Sequence, residues 1–337
     1  MKSFWLESVM ARGRLLMGMR RWAGAGARTV SAEGQRPPRV AAGSVRGSPA
    51  RHREFTGRSR VAARVTTYSD GVAQIGMGTT SVLPRRLREA FRLAAEAGFD
   101  GIEVMITSDR GTQDPSRLAA LSDEFGMPVL SIHAPVLLFS SHVFGRNPLV
   151  KLRRSVELAE AVGATTVVVH PPYRWQRRSA ALFVETVRRL SERHGLRIAV
   201  ENMFPVTRGG IEHDPFAPSW NPGVLEVDAL TLDFSHAGMS GRSAADLARE
   251  WGSRLQHVHL CDAACTAPGG ALLDEHLVPG RGAQPVAEVL QGLAESGFAG
   301  HIIAEINTRA CGRDDEQRVA WLRETLEFAR SHSRVLR

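Results

Sequence analysis

The run TTVVVH at residues 165–170 is apolar at most positions and ends on a histidine. A strand with one face in water alternates apolar and polar residues, whereas a strand covered on both faces does not. The run therefore predicts a strand of a parallel sheet that is covered on both sides. It also places a polar side chain, His170, at the carboxyl end of that strand.

Short apolar runs of this kind recur along the chain, and most are followed by a segment with helical periodicity. The candidate strands are 73–80, 100–105, 128–133, 165–170, 197–202, 229–234, 255–261 and 300–306. The candidate helices are 84–97, 115–125, 147–162, 178–193, 243–252, 283–296 and 313–330. The fifth connection is irregular because it contains three prolines, Pro215, Pro218 and Pro222. Eight strand–helix units in roughly 265 residues predict an α/β fold, a (β/α)₈ TIM barrel.

A doubly wound open sheet is the alternative architecture for alternating strands and helices. Such sheets often bind a dinucleotide on a glycine-rich turn after the first strand, where three glycines open a helix. The corresponding residues here, Gly76-Met77-Gly78, lack the third glycine and the helix opening. The barrel is therefore the favoured prediction.

The first 65 residues differ in composition from the rest of the chain. The 337-residue chain has a formal net charge of +8. Residues 1–65 hold one lysine and thirteen arginines against three glutamates, a balance of +11, which leaves −3 for residues 66–337. The segment is rich in Arg, Gly, Ala, Ser and Pro and has no sustained periodicity after about Trp22. We expect a disordered basic extension at 1–65 and a barrel domain at 66–337.

An organellar transit peptide and a basic tail that binds RNA or membrane are alternative interpretations of this extension. The whole chain has only two lysines, Lys2 and Lys151, and a large excess of arginine, as GC-rich coding produces. This bias favours an unstructured extension, translated from an upstream start codon, over a targeting signal.

Composition also narrows the class of protein. Hydrophobic residues make up 43% of the chain, but charges interrupt every apolar run before it reaches the length of a membrane span. The three cysteines, Cys261, Cys265 and Cys311, lack the spacing of a zinc ribbon, so we expect no disulfide framework and a cytoplasmic location. The mildly acidic balance of residues 66–337 argues against a nucleic-acid partner.

Polar side chains fall where the predicted strands end: Glu103, His133, His170, Glu201, Asp233, His236, His259 and Glu305. The active site of a TIM barrel lies at the carboxyl ends of its strands, and neighbouring strands are about 4.8 Å apart. These side chains can therefore converge on one small volume. Carboxylates and imidazoles collected there would repel one another or stay unpaired without a cation, so a divalent metal is predicted.

The segment LQHVHLCDAACTAPGGALLDEHLVPGRG at 255–282 adds further candidates. His259 leaves the seventh strand close to its end, and Asp274 and His276 follow in a loop of small residues, just ahead of the turn Pro279-Gly-Arg-Gly. A single histidine near a strand end is commonly structural. The prediction of a site depends on the whole ensemble of polar residues.

Other residues of this region are assigned supporting roles. We expect His257 to point to the opposite strand face from His259 and to be structural. Asp262 and Glu103 are candidates for holding the metal ligands in place, and Arg281 is a candidate for binding substrate.

The carboxyl ends of the predicted strands carry a characteristic set of motifs. They are His133-Ala-Pro, His170-Pro, Glu201-Asn, Asp233-x-x-His236, His259-Leu-x-Asp262, Asp274-x-His276-x-x-Pro-Gly-x-Gly and Glu305. Together they resemble the xylose-isomerase-like barrel superfamily over about residues 73–330. That superfamily contains sugar and sugar-phosphate isomerases and epimerases, enzymes of carbohydrate metabolism, and also the zinc-dependent apurinic/apyrimidinic endonucleases.

Resemblance to the isomerase branch implies a single divalent metal, with Mn²⁺, Mg²⁺ or Co²⁺ favoured by an oxygen-rich site. The implied ligands are Glu201, Asp233, His259 and Glu305. The two glutamates would also move a proton at the carbon next to a carbonyl, through an enediolate. The groups that would bind the hydroxyls or phosphate of a sugar or sugar phosphate are His133, His170, His236 and Arg281.

Resemblance to the endonuclease branch implies three Zn²⁺ ions, with five more ligands: His133, His170, His236, Asp274 and His276. Three departures count against that branch and favour a small polar substrate. Val136 stands where those enzymes have an aromatic residue, Pro172 stands where they have glycine, and Cys261 and Ala263 replace the Asn and Ser of their seventh-strand motif. A barrel that binds metal but only senses or carries a ligand is a third interpretation. The identity of the sugar stays open, as does the formation of a homo-oligomer.

Overall fold

The computed structural model describes residues 73–136, 142–208, 211–264 and 274–333. The predicted extension at 1–65 and its boundary lie outside these residues and stay predictions. The strands are β1 Gln74–Gly78, β2 Gly101–Met105, β3 Val129–His133, β4 Thr166–Val169, β5 Arg197–Glu201, β6 Val206–Arg208, β7 Ile211–His213, β8 Ala229–Asp233, β9 Leu255–Leu260 and β10 His301–Ala304.

Eight of these strands form a closed parallel barrel in the order β1-β10-β9-β8-β5-β4-β3-β2. The barrel closes because β1 pairs with β10, with Gln74 opposite His301, and also with β2. The predicted TIM barrel is confirmed, and each barrel strand lies within its predicted segment. The irregular fifth connection contains the antiparallel hairpin of β6 and β7.

The described α-helices each follow a barrel strand along the chain. They are α1 Leu87–Ala97, α2 Pro115–Phe125, α3 Pro148–Val162, α4 Arg177–His194, α5 Phe234–Met239, α6 Ala244–Trp251, α7 Val286–Glu295 and α8 Asp315–His332. Seven of them correspond to the predicted helices. The short helix α5 was not predicted, because it follows β8 directly and its six residues give too little periodicity to detect. In the described ranges no helix combines the length and apolarity that crossing a bilayer requires.

Apolar side chains fill the layer between the helices and the barrel. All four residues of β4 are buried, as the TTVVVH run predicts. Helix α1 shows the matching pattern, since Leu87, Ala90 and Phe91 form one buried stripe at helical spacing and Gly98 ends the helix with φ +92°. This packing fixes the strands and therefore the positions of their carboxyl ends.

Part of the barrel interior is polar. Ser131 of β3 donates a hydrogen bond of 2.6 Å to Glu103 of β2, and Glu103 lies 3.0 Å from Nε2 of His257 on β9. The ring of His257 in turn lies 5.8 Å from the ring of His301 on β10. These four side chains are buried and form a polar layer beneath the mouth of the barrel.

Candidate active site

Glu201 is the carboxylate around which most of the imidazoles gather. It is the last residue of β5 and is buried. Its Oε2 atom lies 3.1 Å from Nε2 of His133 and 2.9 Å from Nε2 of His170. Its Oε1 atom lies 3.1 Å from Nδ1 of His259 and 3.3 Å from Nδ1 of His236. One carboxylate thus contacts histidines that lie at or just beyond the ends of four different strands.

Asp233 ends β8 and caps helix α5. Its Oδ1 atom accepts a hydrogen bond of 2.8 Å from the backbone N–H of His236, so a helix begins directly after this strand. Its buried Oδ2 atom has no hydrogen-bond donor within the described residues, and it lies 3.7 Å from Nδ1 of His259 and 4.0 Å from Nε2 of His276. A buried carboxylate oxygen without a donor is costly, and a cation held between it and these imidazoles would remove that cost.

Glu305 follows β10 and approaches His259 from the other side of the barrel mouth. Its Oε2 atom lies 2.9 Å from Nδ1 of His259, and its Oε1 atom accepts a hydrogen bond of 2.8 Å from the hydroxyl of Thr80. Sequence reasoning missed Thr80. It lies two residues after β1, close to a strand end like the other site residues, but hydroxyl residues are common there and the position alone does not single it out.

Asp274 and His276 reach the site from the loop after β9. Oδ1 of Asp274 accepts a hydrogen bond of 2.7 Å from the hydroxyl of Ser235 and lies 2.9 Å from Nε2 of His276. The backbone of His276 has φ +46°, a left-handed conformation that is uncommon for a residue with a side chain. The hydrogen bond from Ser235, a residue that sequence reasoning also missed, holds this loop against the start of α5.

Backbone carbonyls orient three of the histidines. They are His133, His236 and His276, whose Nδ1 atoms lie 3.0, 2.9 and 2.6 Å from the carbonyl oxygens of Ala134, Asn202 and Glu305, respectively. A carbonyl oxygen only accepts hydrogen bonds, so Nδ1 carries a proton in each ring. Their Nε2 atoms are left to face the carboxylates. Metal-ligating histidines are held in this way, with the second nitrogen donating to a carbonyl or carboxylate.

The donor atoms form four overlapping groups, in each of which the ligand atoms lie within 4.8 Å of one another. The central site contains Glu201, Asp233 and His259, together with the adjacent Glu305. The first flanking group contains His133, His170 and Glu201, and the second contains Asp233, His236 and His276, next to Asp274. The fourth group, Glu103, His257 and His259, lies in the polar layer beneath. Imidazole nitrogens and carboxylate oxygens at this spacing are chemically suited to hold divalent ions.

Opposite charges inside the site shift the pKa values of its groups. Burial acts to raise the pKa of Glu201, but the charges of His259 and His170 lower it well below its usual value. For Glu305, burial is likewise outweighed by His259, and the pKa falls to about 2. Burial acts to lower the pKa of His259, yet the charges of Glu305 and Glu201 raise it well above the usual value. Glu201 and Glu305 are therefore ionised at neutral pH and attract positive charge.

The prediction that His257 points to the opposite strand face from His259 is wrong. It lies on the same face of β9 as His259, and the Nε2 atoms of both rings are 3.0 Å from the carboxylate of Glu103. The physical reason is the two-residue period of a strand, which places residues i and i+2 on one face. Glu103 itself, predicted to support the ligands, does contact the central site through His259.

Asp262 does not contact the metal-binding candidates through its side chain. Its carboxylate instead accepts hydrogen bonds from the backbone N–H groups of Ala263, Gly280, Gly282 and Gln284, at 2.8 to 3.1 Å. Gly280 has φ +85°, and a side chain at Gly282 would collide with the Asp262 carboxylate, so the turn needs both glycines. Asp262 therefore fixes the loop that carries His276 and supports the site only indirectly.

The structure does not bring Arg281 into the cluster. Its guanidinium forms an ion pair with Glu324 on helix α8 and lies 4.8 Å from the ring centre of Trp321. By contrast, nine of the predicted site residues lie together: His133, His170, Glu201, Asp233, His236, His259, Asp274, His276 and Glu305.

Aromatic side chains border one side of the barrel mouth. The ring of Phe204 lies 5.1 Å from the ring of His236, and Phe204 packs on a buried cluster that includes Tyr173 and Phe216. Trp175 stacks on Tyr173 and is 65% exposed. The second flanking group therefore has an apolar wall beside it.

Two cavities are relevant to where a ligand can enter. One of about 430 Å³ is lined by Thr79, Thr80 and Met105, between the loops that follow β1 and β2, and Thr80 joins it to Glu305. A larger one, about 730 Å³, is lined by Leu255 and Gly300, where β9 and β10 begin. The larger cavity therefore opens at the opposite end of the barrel from the site, and only the smaller one adjoins it.

The chain matches a family model of this fold and also has relatives of similar sequence. The family model described as xylose isomerase-like TIM barrel matches residues 91–332. An uncharacterized protein of Mycobacterium tuberculosis (strain ATCC 25618 / H37Rv) is 44% identical over 278 residues, which cover 77% of this chain and 97% of that protein.

Solved structures with a similar fold are more distant in sequence. The crystal structure of a D-tagatose 3-epimerase-like protein is 24% identical, has a TM-score of 0.54, and covers 77% of this chain and 98% of its own. The crystal structure of the IOLI protein with a binding zinc atom is 20% identical, has a TM-score of 0.59, and covers 77% of this chain and 99% of its own. At these identities the similarity establishes the fold.

Proposed function

Because this chain belongs to the xylose isomerase-like TIM barrel family, we propose that it is a divalent-metal-dependent isomerase or epimerase of a sugar or sugar phosphate. The observation that carries the proposal is the position of two glutamates at one imidazole. Oε1 of Glu201 and Oε2 of Glu305 lie 3.1 and 2.9 Å from Nδ1 of His259, and they come from strands on different sides of the barrel mouth. Two carboxylates so placed can exchange protons with a small molecule bound between them.

The residues of the central site fit a divalent metal. Glu201, Asp233, His259 and Glu305 would hold it, and the buried Oδ2 atom of Asp233, which has no hydrogen-bond donor among the described residues, supports this assignment. When bound, the ion would act as a Lewis acid that polarises a carbonyl and offsets negative charge on adjacent oxygens. Three carboxylates and one imidazole suit Mn²⁺, Mg²⁺ or Co²⁺, whereas the histidine-rich flanking groups suit Zn²⁺.

Proton transfer would be the task of the two glutamates. The charge of His259 lowers the pKa of Glu305, so its side chain is a carboxylate at neutral pH, and the Thr80 hydroxyl holds its Oε1 atom. Glu201 stands across the mouth, where Nε2 of His133 and of His170 can donate to it or to substrate hydroxyls. Return of the proton to the neighbouring carbon gives an isomerase, and return to the same carbon from the opposite face gives an epimerase.

The surroundings of the central site favour a small polar substrate. Thr79 and Thr80 line the cavity next to Glu305 with hydroxyl groups. The ring of Phe204 can pack against the apolar face of a sugar ring. The fold neighbours named as an epimerase-like protein and a zinc-bound protein agree with this chemistry.

The test is exchange of hydrogen between solvent and substrate. Metal-loaded protein in heavy water should introduce deuterium at one carbon of at least one member of a panel of ketoses, aldoses and their phosphates. Glu305→Gln should abolish the exchange. Arg88→Gln, which changes an exposed arginine paired with Glu124 on the outer helices, is the matched surface control. Absence of exchange with every member, for protein that binds metal, would contradict the proposal.

A second candidate, a three-zinc endonuclease acting on abasic DNA, is favoured by one specific observation. Both flanking groups are present, and their histidines present Nε2 to carboxylates as zinc ligands do. The net charge of −3 on residues 66–337 argues against electrostatic binding to the phosphates of the DNA backbone. Zinc-replete protein that cleaves abasic duplex DNA, without hydrogen exchange into any sugar, would establish this alternative.

A further inference from the structure

We propose that Glu103 is a positioning residue that fixes which nitrogen of His259 faces the central site. Glu103 is 2% exposed, and its Oε1 atom lies 3.0 Å from Nε2 of His259. The other ring nitrogen, Nδ1, is the one directed at Glu201 and Glu305. The inference rests on the proposed metal site, but its first readout does not require an isomerase activity.

The hydrogen-bond roles follow from the chemistry of the pair. An ionised carboxylate only accepts hydrogen bonds, so the proton between the two residues belongs to Nε2 of His259. With Nε2 acting as donor to Glu103, the lone pair available for a metal is the one on Nδ1.

Neighbours hold Glu103 itself in one orientation. Its Oε2 atom accepts a hydrogen bond of 2.6 Å from Ser131 and lies 3.0 Å from Nε2 of His257. The ring plane of His259 is fixed separately, because His133 stacks on it with centres 5.5 Å apart and planes 17° apart. The stack does not distinguish the two ring orientations that a 180° flip about the Cβ–Cγ bond interconverts, whereas the contact of Nε2 with Glu103 does.

This contact also crosses the barrel. Glu103 lies on β2 and His259 on β9, and the strands β1 and β10 separate them in the sheet. The two strands are not direct neighbours in the barrel, so the link between these two residues is made by their side chains. Removal of a carboxylate that orients a metal-binding histidine typically lowers metal affinity about 10–100-fold.

The experiment uses the full chain labelled with ¹⁵N-histidine, with Zn²⁺ as the probe. In the wild type, Nε2 of His259 should carry a slowly exchanging, hydrogen-bonded proton. Glu103→Gln removes the charge but keeps the shape, and it should shift that resonance, speed its exchange and weaken Zn²⁺ binding about 10–100-fold in competition with a chelating dye. Asp100→Asn, one strand position before β2 at the opposite end of the barrel, is the matched control and should change neither.

Glu103→Asp provides a second variant in case Glu103→Gln does not fold. It retains the charge but is one methylene too short to reach His259, so it should weaken Zn²⁺ binding in the same direction. Unchanged Nε2 resonance together with Zn²⁺ affinity within twofold of the wild type, in a folded variant, overturns the proposal. If the affinity falls as expected while no sugar exchanges hydrogen, the isomerase proposal fails and the role of Glu103 stands.

Discussion

Nδ1 of His259 lies 3.1 Å from Oε1 of Glu201, although 58 positions separate the two residues in the chain. Both side chains leave the carboxyl ends of barrel strands, β9 and β5, which are separated by β8 alone. Glu305 lies 2.9 Å from the same nitrogen, so two ionised carboxylates flank one imidazole. Such an arrangement is stable only with positive charge at its centre, supplied by an imidazolium proton or by a metal.

Removal of Glu201 or of Glu305 should therefore weaken metal binding. Glu201→Ala and Glu305→Ala each take one charged ligand from the central site, so Mn²⁺ should no longer raise the melting temperature of either variant. The measurement is thermal unfolding with and without Mn²⁺, together with elemental analysis of the purified proteins.

Glu324→Ala is a suitable control for these variants. Glu324 is a carboxylate on helix α8 whose partner, Arg281, is exposed. Its removal should cost no more than about 1 kcal/mol, as for other surface ion pairs, and leave the Mn²⁺ effect intact. Full metal occupancy in both glutamate variants would locate the ion elsewhere.

The number of bound ions separates the two candidate functions. His276 belongs to the second flanking group, so in a three-zinc protein His276→Ala should remove about one ion per chain. In a single-metal isomerase the same change should leave the ion in place and raise KM or lower kcat on the sugar. Elemental analysis of Zn²⁺-equilibrated wild type and variant distinguishes the outcomes, since they predict different ion counts before and after the substitution.

Much of this site could be predicted from the sequence because most of its residues lie at the carboxyl ends of predicted strands. Glu201 and Glu305 interrupt apolar strand sequence, and a buried carboxylate needs a partner. His257 could also have been assigned correctly, since it is two residues from His259 and must share its strand face. Thr80 and Ser235 are different, because hydroxyl residues after a strand are common and carry no comparable signal.

The direction of the loop after β9 could not be predicted from the sequence. Whether Arg281 points into the barrel mouth depends on how the turn Pro279-Gly-Arg-Gly folds, and that turn is organised by Asp262 through four backbone hydrogen bonds. The resulting conformation turns the guanidinium outward to Glu324. Long-range hydrogen bonding of this kind leaves no periodicity in the sequence.

Asp262 is therefore expected to contribute strongly to stability without binding a ligand. Asp262→Asn replaces an acceptor oxygen with an NH₂ group that faces backbone N–H donors, so it should lower the free energy of unfolding by about 2–4 kcal/mol. Urea unfolding with an unchanged m-value measures this. Asp246→Asn, an exposed carboxylate paired with Arg249 on helix α6, should change stability by less than about 1 kcal/mol. Equal effects of the two substitutions would refute the assigned role of Asp262.

His301 should make stability depend on pH in the acid range. It is buried in the polar layer beneath the site, and burial, with the charges of His257 and Arg197, lowers its pKa from 6.5 to about 3. Between these values the unfolded chain binds a proton that the folded protein does not. The stability from a neutral His301 is thus fully present above pH 6.5 and is lost as pH falls toward 3, by roughly 1 kcal/mol per pH unit.

Replacing His301 should flatten this dependence. His301→Gln removes the titrating group, so its free energy of unfolding should fall less steeply than that of the wild type between pH 6.5 and 3. Urea unfolding in the presence of a chelator, at intervals across that range, gives the two slopes without a contribution from bound metal. His332→Gln near the end of helix α8 changes the histidine count without altering the barrel and should keep the wild-type slope. Parallel curves for wild type and His301→Gln would mean that His301 titrates alike in the folded and unfolded chain, and would contradict this prediction.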